Sequence, residues 1–275
     1  MKAEDVADRL RLSRAAVYRL EKGDIVKIDV LERVAELLGV SLALLMGIEV
    51  EYYPRAIEFF ERMRQLEHTA DQILAHFEPV SFLLTSDEYP AYLETMLFET
   101  LPGEIRKNPQ SRVKKEIDAV MEILRQRKAQ FARKHGNIVS IVGTREIERF
   151  IHVGLVGRLS LPQATLRTRI EAARREVLYM AELVESEPIG VQIGVLDDVL
   201  PTSTFQIFRQ PDRDYVAVSA FRIGELPNIR TGVATVTCSS EKIALYLNMM
   251  REWWRRSSKG REGAQVLRRL VVERF

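Results

Sequence analysis

Few residues in this sequence have types and spacing that could do covalent chemistry. The histidines are His68, His76, His135 and His152, and none stands in an H-E-x-x-H or H-x-K pattern, which removes zinc-peptidase and histidine-based phosphodiesterase chemistry. No G-x-S-x-G, Walker A or G-x-G-x-x-G run occurs. Cys238 is the single cysteine, so neither an intramolecular disulfide nor a cysteine-built metal site can form. His68 and His76 lie two turns apart on a helical reading, but no carboxylate or thiol completes a ligand set, and both read as surface histidines. No catalytic, metal or cofactor residue is expected, and the chain is not read as an enzyme. The chemistry that remains is recognition. Ser13, Arg14, Ala15, Tyr18, Arg19 and Lys22 fall within ten residues, and together they offer guanidinium forks, an ammonium, hydroxyls and a small apolar contact. Such a set suits base edges and phosphates.

Two short helices must position these groups. Val6, Ala7 and Leu10 share one face of a first helix, a break follows at Arg11-Leu12, and Ser13 has the chemistry of an N-cap for a second. Val17 and Leu20 face back toward the first helix, with Ala7 small where the two must approach and Leu12 closing the wedge. The outward face then carries Arg14, Ala15, Tyr18, Arg19 and Lys22. Arg14 and Arg19 are the candidates for base contacts, Ala15 for a thymine methyl, and Ser13, Tyr18 and Lys22 for the backbone. Asp29 and Glu32 have capping-box spacing for a helix through Leu38, ended by Gly39. Ser41 is placed to cap a short helix over Leu42–Met46, and Gly47 closes the region.

The stretch from Lys2 to Gly47 resembles the lambda-repressor-like, XRE-type helix-turn-helix domain. The likeness rests on VADRL, on S-R-x-x-V-x-R-L-E-K-G and on DVLERVAELLGVSLALLMG, about a sixth of the chain. It implies a DNA-binding head whose second helix enters the major groove. Arg11 stands at the turn position usually held by glycine, where a left-handed conformation costs roughly 1 kcal/mol. The family's first helix has no counterpart here, so the head reads as truncated, with Val6, Leu10, Val34 and Leu38 partly uncovered and Glu21 lacking its usual arginine partner. An upstream start, a helix from another subunit, or cover by the C-terminal domain would each supply it; the upstream start is the favoured expectation.

The fold class expected is α+β: the all-α head over residues 1–48, a long connecting amphipathic helix within 49–78, and a mixed α+β regulatory or sensing domain over 79–275. From Ala56, the residues Phe59, Met63, Leu66, Ala70, Ile73 and Phe77 recur in steps of three and four over a helix predicted across 54–77. This stripe is either a dimer seam spacing two heads or the inner face of a helix packed on its own domain. Ser86 or Asp87 is expected to cap a short helix. The basic helix Lys107–His135, ending RQRKAQFARKH, reads as a solvated face, with phosphate contact the lesser alternative. Strand-like runs follow at Asn137–Val142, Ile189–Leu196, Thr204–Arg209, Tyr215–Phe221 and Gly232–Cys238, with helices at Arg145–Leu155, Leu166–Glu185, Ser240–Arg256 and Gly263–Phe275. Trp253, Trp254, Tyr246 and Phe221 are core aromatics on this reading, or else the lining of an apolar ligand pocket. The C-terminal part resembles, more diffusely, the α+β domain that follows the head in many XRE-type regulators, through F-L-L-T-S-D-E-Y, the R-Q-R segment at Arg125–Arg127 and MMREWWRRS.

At 275 residues with a net charge of +2, the chain has ample core but no bulk charge that would hold it on nucleic acid. One head would bind weakly, so a homodimer is expected on double-stranded operator DNA, with a small-molecule or protein effector at the C-terminal domain. No run of about 18 apolar residues appears, nor a signal-peptide core, and a cytoplasmic location without membrane contact is expected. The function expected is a transcriptional regulator, by default a repressor; the alternative is an antitoxin-like module whose C-terminal domain holds a protein partner.

Overall fold

The computed structural model describes residues 7, 10, 13–22, 27–38, 40, 42–46, 50–77, 79, 81–108, 111–134, 136–198, 200–201 and 203–272, and of residues 14, 20, 21, 43 and 44 only the backbone. The fold is α+β, and the chain divides into two compact units, Met1–Glu51 and Tyr52–Phe275.

The first unit is helical. Ala7 and Leu10 are helical and buried, and are followed by α1 (Arg14–Glu21), α2 (Ile28–Leu38) and α3 (Leu42–Leu45). Its centre is Leu10, Val30 and Val34, with Leu37 and Leu45 packed against them. Leu10 and Val34 are therefore only 5% exposed each, not left open as the truncated reading expects, because they cluster with Val30, with Leu37 and Leu45 packed against them. Leu38 does remain 51% exposed. The start of α2 also differs from the capping-box expectation. Lys27 O accepts from Val30 N (3.0 Å), so Asp29 is already inside the first turn, where it pairs with Arg33 at 3.7 Å. At the other end Val40 N donates to Ala35 O (3.0 Å), the six-to-one closure of a Schellman motif. Val6, Leu12, Gly39, Ser41 and Gly47 lie outside the described residues, as does the side chain of Glu21.

From Val50 onward the chain is built on a seven-stranded mixed sheet in the order β1-β7-β6-β5-β2-β3-β4, all of whose strands but β1 lie wholly in the second unit. The strands are β1 (Val50–Tyr53), β2 (Gln72–His76), β3 (Ile138–Gly143), β4 (Val191–Leu196), β5 (Thr204–Arg209), β6 (Tyr215–Ser219) and β7 (Ala234–Thr237). β2, β3 and β4 run parallel, with Ala75 opposite Ser140 and Ser140 opposite Ile193; β5 pairs antiparallel with β2, and β6 with β5. The helices are α4 (Ala56–Thr69), α5 (Tyr89–Glu99), α6 (Gly103–Lys107), α7 (Arg112–Lys134), α8 (Thr144–Val153), α9 (Gln163–Ser186), α10 (Ser240–Arg256) and α11 (Gly260–Val272). Alternate residues of each strand face opposite sides. One side carries Ile73, Ala75, Ile138, Val142 and Phe208 into the main core beneath α4, α5, α7, α8, α9 and α11. The other carries Ile141, Phe205, Ile207 and Val216 into a smaller core with Ile243, Met250 and Trp253 of α10.

The helix expected over 54–77 stops at Thr69. Ala70 is already extended (φ −70°, ψ 134°), and the chain turns into β2, hydrogen-bonded on both sides within the sheet. Ile73 and Ala75 satisfy a period of two as well as a helical stripe, and two ladders of partners decide between them. The whole stripe lies inside the unit: Phe59 is 0% exposed, Met63 1% and Leu66 2%, so it forms no seam between subunits. The helix after Ser86 and Asp87 begins later than expected, at Tyr89, with Pro90 in its first turn and neither residue as its cap.

Candidate nucleic-acid interface

Ser13 is the N-cap of α1. Its Oγ accepts from Ala16 N at 3.2 Å, and its carbonyl accepts from Ala16 and Val17 N at 2.9 and 3.1 Å. Lys22 N donates to Tyr18 O (3.1 Å), which carries helical bonding past Glu21. Val17 is 3% exposed and Ala16 half-buried, so α1 turns that edge inward. Ser13, Ala15, Tyr18, Arg19 and Lys22 are all exposed, and Tyr18 reaches 56%. Of the six candidate contact residues, these five stand in solvent. Arg14 opens α1, but its side chain lies outside the described residues.

One group that positions this helix pair carries no motif signal. Arg33 on α2 donates Nη1 to Leu10 O at 3.0 Å and Nε to Asp29 O at 3.2 Å. It thereby satisfies the carbonyl of Leu10, ahead of α1, across 23 residues of chain. Only its spacing from Asp29, four residues along α2, is visible in the sequence.

The C-terminal unit places the remaining candidates apart. His76 is not at the surface: it is 1% exposed on β2, Nε2 donates to Pro201 O at 3.0 Å, and Trp253 packs edge-on at 5.2 Å. His68 is exposed on α4, so the two share no face. The four aromatics do not line one pocket. Phe221 lies on the main-core side against Phe59 (5.9 Å) and Phe60 (6.4 Å). Trp253 and Tyr246 pack on Phe205 on the other side, at 5.9 and 4.5 Å, and Trp254 alone is at an open cleft. Nor is the basic helix a purely solvated face. Arg127 is 2% exposed and ion-paired with Glu67, and Lys128 Nζ donates to Thr85 O (2.7 Å) and Ser86 O (2.6 Å).

That last contact explains the F-L-L-T-S-D-E-Y segment. Glu176 on α9 receives Ser86 N at 2.7 Å and Ser86 Oγ at 2.6 Å, while Lys128 holds the carbonyls from α7. Tyr89 Oη donates to Ile223 O at 2.8 Å. Burial raises the Glu176 carboxyl above the ordinary carboxylate range, against the opposing pull of the Ser86 bonds and Lys128. The segment is thus a polar clamp joining α5, α7 and α9. Among the described residues no group of three or more His, Cys, Asp or Glu is placed to hold a metal, and no helix is long and apolar enough to cross a membrane.

Residues 1–45 match the helix-turn-helix family model HTH_3. No curated protein matches the chain. Solved structures to which it is similar include Nuc, a phospholipase D family member from Salmonella typhimurium, at 12% identity over 78% of this chain and 97% of that one, with a TM-score of 0.37. Another is TrmBL2, an archaeal chromatin protein, at 10% identity over 88% of this chain and 66% of that one, with a TM-score of 0.33. At these TM-scores neither likeness establishes a shared fold.

Proposed function

We propose, from a head that is an XRE-type helix-turn-helix, that this chain is a sequence-specific transcriptional regulator acting in the cytoplasm, by default a repressor. The observation that carries the reading is the Ser13-capped helix α1, buried along Val17 and exposing Ala15, Tyr18, Arg19 and Lys22 on its other side. A short helix with one apolar edge and one cationic edge is what a major groove admits. Arg14 and Arg19 read base edges in this scheme, Ala15 contacts a thymine methyl, and Ser13, Tyr18 and Lys22 hold the phosphate backbone.

The head's few cations support only modest affinity, which favours two heads on one operator and hence a homodimer. The stripe on α4 is spent on the unit's own core, so a dimer contact belongs elsewhere on the chain. The C-terminal unit serves sensing or assembly rather than catalysis in this reading, and its polar clamp at Ser86 holds structure rather than substrate. Footprinting the purified protein on the DNA upstream of its own gene tests the proposal. A protected site of about one to two helical turns is expected, and uniform weak protection on all sequences rejects specific recognition. A protein partner co-purifying in stoichiometric amount, with no footprint, supports the antitoxin-like module instead.

A further inference from the structure

The two faces of the sheet are covered unequally. Among the described residues of this unit, α10 is the one helix that packs on the strands of the second face. A helix is about 10 Å wide and strands lie about 4.8 Å apart, so one helix spans roughly two strands of the seven. The amino-terminal ends of β2, β3 and β4 remain beside it as the floor of a cleft of about 230 Å³.

The cleft is apolar within and cationic at its rim. Leu74 and Val139 form the floor, and Leu247, Met250 and Trp254 of α10 form a wall. Gln72 and Gln192 supply amides from β2 and β4, and Arg209 and Arg251 supply guanidiniums. No acidic side chain lines it among the described residues. Arg209 is paired through Nε with Asp214 at 2.7 Å, leaving its other nitrogens as donors. Arg251 donates to the neutral Asn248 Oδ1 at 2.9 Å and is in no ion pair among the described residues. Outside the cleft, Lys259 Nζ lies 4.9 Å from the centre of the Trp254 ring and donates to Ser257 O at 2.6 Å. The neighbouring acid Glu252 is taken by Arg255.

We infer that this cleft binds a small planar organic anion, its ring against Trp254 and its acid group on Arg251 and Arg209. Three features carry the assignment: an aromatic wall, an apolar floor, and a positive rim with amides at fixed places on the sheet. The volume lies below the roughly 300–1,000 Å³ of pockets for drug-sized ligands, which sets the ligand at one or two rings. A second copy of the chain is a poor occupant, because a two-fold contact centred here would set Arg209 and Arg251 against their own images. The inference is independent of whether the head reads DNA, since every residue of the cleft lies in the second unit.

The sequence contains two tryptophans, Trp253 buried and Trp254 at the cleft, so intrinsic fluorescence reports the site directly. The full-length protein is titrated with benzoate and 1-naphthoate and with their neutral amides, by fluorescence and by calorimetry. Saturable binding of at least one acid is expected, about tenfold or more tighter than its amide, from a charge-assisted hydrogen bond. Arg251→Gln removes most of that preference with an unchanged melting temperature, because Arg251 is exposed and bonded only locally, and Arg251→Lys retains part of it. Trp254→Leu abolishes the fluorescence response and weakens acid and amide together. Absence of saturation with either acid, equal binding of acid and amide, or a preference that survives Arg251→Gln each overturns the inference. A failed operator footprint leaves this result untouched.

Discussion

Arg127 on α7 grips Glu67 on α4 from inside the protein: Nε donates to Oε2 at 3.0 Å and Nη2 to Oε1 at 2.6 Å, with both side chains at most 3% exposed. The guanidinium also lies 5.5 Å from the centre of the Phe60 ring. Two helices that each look amphipathic in isolation are thus bolted together by a bidentate pair in the main core. Removing one partner strands a buried charge at about 3–5 kcal/mol, whereas replacing both by apolar residues of similar volume is often near neutral. Glu67→Ala and Arg127→Ala should each lower stability by about that amount, and Glu67→Met with Arg127→Leu should recover most of it. Urea unfolding of the three variants decides; a double variant no more stable than either single contradicts a coupled pair.

The α4 stripe makes a related prediction about assembly. Met63 is 1% exposed within the second unit, so Met63→Glu places an unpaired charge in the core. The expected outcome is loss of the folded second unit, by several kcal/mol, and not a clean dissociation into folded monomers. Circular dichroism alongside sedimentation checks this. A folded, monomeric Met63→Glu protein would return the stripe to an intersubunit role.

The proposed role of α1 rests on the way arginine reads guanine, through two parallel hydrogen bonds. Arg14→Ala and Arg19→Ala are each expected to cost roughly 1–3 kcal/mol at the best site and to relax base preference there. Lys22→Ala should weaken binding evenly across sequences and reduce the salt slope by about one. Competition binding at several salt concentrations separates the two classes. Arginine variants with unchanged site preference would remove α1 from the groove.

Glu176 sets a pH dependence. Its carboxyl is raised above the ordinary range chiefly by burial, so the folded protein holds this proton more tightly than the unfolded chain does. Its contribution is therefore most favourable at low pH. It declines as pH rises from the ordinary carboxylate range through the raised value, and is level beyond. Glu176→Gln keeps an acceptor for Ser86 N and cannot titrate, so that part of the slope should vanish. Stability measured across the acid range tests the sign, and an identical slope in both proteins rejects it.

Within the head, Arg33 tethers α2 to the carbonyl of Leu10. Arg33→Met keeps the aliphatic stem and removes the donor, which should cost about 1 kcal/mol and lower the melting point without altering specificity. A thermal melt with an operator titration distinguishes this from a direct DNA contact.

Much of this protein is legible in its sequence because the deciding forces are local. Ser13 caps α1 through a hydroxyl three residues from the amide it receives, and the outward set from Ala15 to Lys22 follows from 3.6-residue periodicity alone. The strands at Thr204–Arg209 and Ala234–Thr237 announce themselves by β-branched and aromatic runs between turn residues. Other features needed the tertiary structure, each for an identifiable reason. The run from Ala70 to Phe77 fits both a helix and a strand, and only pairing with β3 and β5 on either side selects the strand. Arg127 has the sequence context of a solvated cation, and its burial depends on Glu67, 60 residues earlier. His76 is drawn inside by the carbonyl of Pro201, 125 residues away. Trp253 and Trp254 are neighbours in sequence, yet one closes the smaller core and the other faces a cleft. Helical rotation separates adjacent side chains by about 100°, but which of them meets the sheet is fixed only where α10 lies on it.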